Sequence, residues 1–314
     1  MPKPTADDAR RIVEQTLGTG VAAVRRFSTG LCHYVYEVEL TDGRCVAVRL
    51  ATEETQALLA GGIYWHRKLS PLGLPLARLL HADTQGAAPC MILERLPGKD
   101  LHLVYAQLSD AEKRTLAAQV VAAQQRCHQL PRANGFGHAT SYDDPILSRN
   151  RSWHHVVGNA LDQSISHIKS AGVVDASVVT RVREKLPAFS GYLHRVEPVA
   201  FLDDTTTKNV IVHHGSLSGI VDTDEVCFGD PLYTPALTRM ALLTHHGDTD
   251  YVDHWLDIIH ATSEQRAAVN FYTAVFCVGF LSEQGQTYNR DQPAVDHEVI
   301  RLLTRILDQL LAEI

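Results

Sequence analysis

At 314 residues with 45% apolar composition, the chain is long enough to bury one large core or two smaller ones. A net charge of −7, from 36 acidic against 29 basic residues, argues against a nucleic-acid partner and suits a neutral or cationic small molecule. No apolar run approaches the roughly 18 residues that span a bilayer, and the N-terminal Met-Pro-Lys-Pro-Thr-Ala-Asp-Asp lacks a signal peptide's apolar core, so a cytoplasmic protein without a membrane partner is expected.

The first predicted element is a helix from Thr5 to Gly18, with Thr5 as N-cap, Asp7 and Asp8 complementing the dipole, and Gly18 as the stop. Strands follow over Val21–Phe27, His33–Leu40 and Cys45–Leu50, the last two joined by an Asp42-Gly43 hairpin turn. In the second strand Tyr36, Val38 and Leu40 alternate with Val35, Glu37 and Glu39, so one face is core and the other partly wet. A helix over Thr55–Leu69 precedes two more apolar runs, Leu79–Ala82 and Cys90–Glu94. Beyond them the pattern is helical. Ser109 and Glu112 form a capping box opening a helix to His128, and helix-length stripes run over Trp153–Lys169, Asp175–Leu186, Pro235–His245, Tyr251–Ile259, Ser263–Glu283 and Val295–Leu311. The six cysteines are scattered without a C-x-x-C, which points to free buried thiols. The 17 histidines show no metal-ligand spacing and read as surface or helix-end residues.

The chemistry concentrates in one stretch. Asp204 and Asn209 stand five residues apart on a loop, and the runs Val210–Val212 and Leu217–Val221 flank a turn at 213–216, a hairpin that returns Asp222 to the side of Asn209. Phosphoryl transfer needs a carboxylate near the attacking hydroxyl and hard oxygen ligands for Mg²⁺ across the phosphates. Asp204 fits the first role; the Asn209 amide oxygen and the Asp222 carboxylate fit the second.

With Gly229-Asp230-Pro231 following, this stretch resembles the aminoglycoside phosphotransferase and choline kinase-like family, whose catalytic loop reads His-Gly-Asp-x-x-x-x-Asn ahead of a hairpin, Ile-Asp and Gly-Asp-Pro. The resemblance implies an α+β, two-lobed protein-kinase-like fold, with residues 1–97 as a small β-rich nucleotide-binding lobe and 98–314 as a larger helical lobe. It implies a small-molecule kinase that uses ATP or GTP with Mg²⁺ to phosphorylate a hydroxyl. Adenine would meet backbone groups of Glu94 and Leu96 in the run between lobes. Arg49 stands where the family has a phosphate-contacting Lys. Gly30 sits alone in the glycine-rich loop, either a hairpin turn or part of a phosphate cradle of backbone amides from Thr29 to Cys32, to which Ser28 and Thr29 would add hydroxyl donors.

Three features differ from the family pattern. Arg49 replaces Lys; Gly62 aligns with the helix Glu that holds that Lys, leaving Glu53 or Glu54 as substitutes; and Leu202-Asp203 replaces His-Gly before Asp204. The interval to Asn209 selects Asp204 over Asp203 as the catalytic carboxylate. By the resemblance, the acceptor pocket draws on Asp224, Glu225, Tyr272, Glu283 and Tyr288. The alternative is a catalytically weak or inactive nucleotide-binding protein of the same fold.

Overall fold

The computed structural model describes residues 3–27, 32–86, 88–287 and 295–314. Ser28, Thr29, Gly30 and Tyr288 lie outside the described residues.

The chain opens with helix α1 (Ala6–Leu17). Thr5 and Asp8 form a reciprocal capping box at its start, and Gly18 adopts the left-handed conformation at its end. Five antiparallel strands follow: β1 (Val21–Arg26), β2 (Tyr34–Leu40), β3 (Cys45–Leu50), β4 (Leu79–Asp83) and β5 (Cys90–Glu94), in sheet order β1-β2-β3-β5-β4. The alternation read in β2 is realised: Tyr36, Val38 and Leu40 are buried with Val46, Val48, Leu50 and the α1 residues Ala9, Ile12 and Val13. On the other face, helix α2 (Gln56–Leu69) packs Leu59 and Ile63 against Ala51 and Met91. Arg49 pairs with Met91 across β3 and β5 and is buried with 9% of its surface exposed.

After β5 the chain turns at Gly98, where φ is 109° and an added Cβ would lie 2.2 Å from the Val212 carbonyl oxygen, so only glycine lets the two segments meet. Lys99–Asp100 then pairs with Val210–His213, which pairs with Ser216–Ile220. The remainder is a helical lobe around one large core that includes Leu116, Trp153, Leu161, Phe201, Phe271 and Leu307. Its helices include Asp110–Cys127, with the Ser109–Glu112 capping box in place, Trp153–Ala171, Tyr233–His245, Asp250–Ile258, Ser263–Ser282 and His297–Glu313.

Several expectations are corrected. The helix expected over Asp175–Leu186 is two, Ser177–Arg183 and Leu186–Arg195, with Pro187 in the first turn of the second. Thr262 caps the long helix that begins at Ser263, and Asp296 caps the last. Three strands of three or four residues, Gly137–Ala139, Val199–Phe201 and Val226–Gly229, form a small sheet under the loop that carries Asp204. They are too short to display an alternation. All six thiols are free, but Cys32 and Cys45 are exposed rather than buried. Among the described residues, no helix is long and apolar enough to cross a membrane.

Candidate active site

The loop from Leu202 to Asn209 leaves one strand of the small sheet and enters the hairpin. Val210 pairs with Ile220, and the Val221 N–H donates to the Asn209 carbonyl at 2.9 Å, which sets Asp222 beside Asn209. Asn209 donates from Nδ2 to the Asp204 carbonyl at 2.8 Å. That bond fixes the amide plane and leaves its oxygen as the end available to a cation. Asp222 has φ of 63°, a left-handed conformation that a non-glycine residue keeps where its surroundings impose it, as functional sites do.

A buried amide holds the loop from beneath. Gln124, on the Asp110–Cys127 helix, donates from Nε2 to the Leu202 carbonyl at 2.7 Å and to Thr205 Oγ1 at 3.0 Å, while its Oε1 accepts from the Leu202 N–H at 3.0 Å. The Thr205 and Thr234 hydroxyls both donate to the Leu202 carbonyl at 2.9 Å. Sequence reading passed over Gln124 because a single amide within a helix carries no spacing signal.

The adjacent carboxylates separate. Asp203 turns to His138 of the small sheet, Oδ2 to Nε2 at 2.6 Å. Burial opposes both charges, but each partner outweighs it: Asp203 raises the His138 imidazole well above its ordinary range, and His138 holds Asp203 below the usual carboxylate range. Asp204 is exposed to the cleft. Withdrawal from bulk water and then the neighbouring carboxylates Asp203 and Asp222 push its pKa up to about 7.

Arg49 reaches into the same cleft. Its Nη2 donates to Asp224 Oδ2 at 2.6 Å and to Asp222 Oδ1 at 3.0 Å. The carboxylates that hold Arg49 therefore come from the helical lobe. Asp224 also accepts from or shares a proton with His33 Nε2 at 2.9 Å. Burial opposes its ionisation, yet Arg49 and His33 together keep Asp224 below the ordinary carboxylate range. Between the lobes, Glu94 ends β5 opposite Val46, and Leu96 packs beside Gly219 of the hairpin while its carbonyl accepts from Arg95.

The residues expected around the acceptor do not gather in one place. Glu225 is half-buried and lines a small recess with Asp203, Asp204 and Asp222. Asp224 instead faces Arg49 and His33. Tyr272 is fully buried: its hydroxyl donates to Asp230 at 2.8 Å and accepts from Trp153 Nε1 at 2.9 Å, so it is a core group and not a pocket wall. Glu283 is the C-cap of the Ser263–Ser282 helix, and the turn after it packs on Ala171 and Val173. A larger groove of about 480 Å³, lined by Tyr192, Arg195, Gly229, Asp230 and Glu264 among others, lies elsewhere. The antiparallel pairing of Val199 with Gly229 and of Phe201 with Cys227 puts it at the opposite end of those strands from the loop that carries Asp204. Its buried carboxylate, Asp230, already accepts from Tyr192 and Tyr272.

A family model described as the phosphotransferase enzyme family matches residues 23–269. No curated protein matches the chain. Among solved structures, a thermostable mutant of aminoglycoside phosphotransferase APH(4)-Ia in ternary complex with ADP and hygromycin B is similar at 16% identity, with 96% of this chain and 97% of that chain covered and a TM-score of 0.69. ADP-bound aminoglycoside phosphotransferase APH(2'')-Ib is similar at 13% identity, 98% and 97% coverage and a TM-score of 0.66. A streptomycin-ATP-APH(2'')-IIa ternary complex is similar at 13% identity, 99% and 97% coverage and a TM-score of 0.65. At such identities the likeness establishes a shared two-lobed, kinase-like fold.

Proposed function

The chain belongs to the phosphotransferase enzyme family, and on that premise we propose that it transfers the terminal phosphoryl of ATP or GTP to a hydroxyl of a small molecule, an aminoglycoside-like antibiotic or a hydroxylated metabolite. The observation that carries the reading is Asp204: a cleft-facing carboxylate whose pKa is pushed up to about 7, with Asn209 and Asp222 beside it. A general base works best when its pKa lies near the working pH.

Asp204 accepts the acceptor hydroxyl's proton as the oxygen attacks the terminal phosphorus and the nucleoside diphosphate leaves. Asn209 and Asp222 present hard oxygen donors, a neutral amide and a carboxylate, which suits Mg²⁺, an ion that usually takes one or two protein carboxylates and completes its shell with phosphate oxygens and water. When bound, Mg²⁺ neutralises charge on the phosphates. Arg49 reaches the phosphates from β3, while backbone groups of Glu94 and Leu96 meet the base. The acidic recess of Asp203, Asp204, Asp222 and Glu225 suits an acceptor carrying amino groups, in keeping with the hygromycin B and streptomycin bound by the similar structures.

The test is a coupled nucleotide-turnover assay with ATP or GTP and Mg²⁺ over a panel of aminoglycosides, amino sugars and neutral polyols. Acceptor-dependent release of nucleoside diphosphate is expected. Nucleotide binding without transfer to any member of the panel would replace this reading with that of a nucleotide-binding protein.

A further inference from the structure

Helix α2 carries Gly61 and Gly62 side by side in its interior, where glycine is a poorer helix former than alanine. Space explains them. A Cβ on Gly62 would lie 2.4 Å from Asp224 Oδ1, and one on Gly61 would lie 2.6 Å from the Asp224 carbonyl oxygen and 2.9 Å from Thr140 Cβ. The helix gives up two side chains at the point where Asp224 enters from the other lobe.

Asp224 is placed there at a cost. Its side chain is 13% exposed, Oδ1 is buried with no hydrogen-bond partner among the described residues, and an incompletely satisfied buried carboxylate is unfavourable unless charged partners hold it. Those partners are Arg49 and His33, both anchored in the sheet lobe and both nearly buried. Arg49 has a second carboxylate, but Asp222 is half-exposed and is the group offered to the metal. Once a cation engages Asp222, Asp224 is the carboxylate left to orient the guanidinium.

We propose that Asp224, steadied by His33, holds Arg49 in position for the nucleotide phosphates, and that Gly61 and Gly62 admit it to the place a carboxylate on α2 would otherwise occupy. Asp224 is a positioning residue: it acts through Arg49. Because Asp224 belongs to the helical lobe and Arg49 to the sheet lobe, the anchor spans the cleft, and the arginine is oriented only while the lobes are closed on each other. The inference rests on the phosphotransfer reading.

Calorimetric titration of ATP, with Mg²⁺ and separately with a chelator, tests it on Asp224→Ala, Asp224→Asn, Gly62→Ala, Gly62→Ala/Asp224→Ala and Gly62→Glu/Asp224→Ala, each checked for folding by its thermal transition. Asp224→Ala is expected to weaken ATP binding about 10- to 100-fold, the scale of charge-assisted hydrogen bonds. The loss should be similar with and without Mg²⁺, which a metal ligand's would not be, and the KM for acceptor should stay unchanged. Gly62→Ala should weaken binding in the same direction by displacing Asp224, yet add nothing in the Asp224→Ala background, and Gly62→Glu should restore affinity there. Parent-like ATP affinity in Asp224→Asn, or additive losses at 62 and 224, overturns the proposal. A parent protein that binds no nucleotide overturns the phosphotransfer reading itself, and this proposal with it.

Discussion

Replacing Asp204 by Asn is expected to make the protein more stable and nearly inactive, with both effects set by a carboxylate withdrawn from water and then crowded by Asp203 and Asp222. The rise of its pKa from an ordinary 3.8 to about 7 corresponds, at about 1.36 kcal/mol per unit, to about 4 kcal/mol for a fully dehydrated carboxylate. Asp204 faces the open cleft, so solvent screening reduces this to about 1–2 kcal/mol. The sign follows from linkage: a carboxyl whose folded pKa is raised binds more protons folded than unfolded, so its stabilising contribution is complete below about pH 4 and is lost as pH rises through about 7. Asp204→Asn abolishes that loss. Its melting temperature should therefore exceed the parent's by a few degrees at pH 8, with a smaller gap at pH 5. Turnover should fall by about two to four orders of magnitude with nucleotide affinity nearly unchanged, and parent kcat/KM should climb with pH to a plateau above about 7. A variant equally or less stable than the parent at both pH values, or a rate profile without an inflection near neutrality, would refute the reasoning.

Asp222→Ala should abolish the Mg²⁺ dependence of nucleotide binding while preserving the fold, since its side chain is half-exposed, and Asn209→Ala should do the same more weakly because an amide oxygen holds a divalent cation less strongly than a carboxylate; titrations at several Mg²⁺ concentrations decide both. Gln124→Leu removes the acceptor of the Leu202 N–H and should cost about 1–3 kcal/mol in urea unfolding, with kcat reduced more than nucleotide affinity. His138→Ala strands Asp203 without its cation and should destabilise by about 3 kcal/mol near neutral pH. The raised His138 pKa places its contribution below the unfolded value and removes it as pH climbs through the folded one, so the gap between His138→Ala and parent should shrink in alkaline buffer. A constant gap would dissociate that pair from the stability of the loop.

What the sequence determined by itself was local. The capping boxes at Thr5 and Ser109, the alternation of β2 and the apolar stripe of the last helix are short-range patterns, because hydrogen bonds three or four residues apart and the periods of helix and strand act within a few residues. The juxtaposition of Asp204, Asn209 and Asp222 was legible for the same reason: they lie on one loop and the hairpin that continues it. The small sheet under that loop was not, since strands of three or four residues contain too few positions for a period. Nor could the sequence choose partners. Arg49 finds Asp224 at a separation of 175 residues, Gln124 reaches Leu202 across 78, and Asp203 meets His138 across 65. Tyr272 has a ring and a hydroxyl that suit a pocket wall or a core equally well, and its burial against Trp153 and Asp230 decided for the core. Gly62 looked like a missing carboxylate when read along α2 and proved to be the space another lobe's carboxylate fills. Which side chains neutralise one another, and which remain free to face the cleft, depends on how helices and sheet are brought together, and that closure is decided by burial of the whole core rather than by any short stretch of chain.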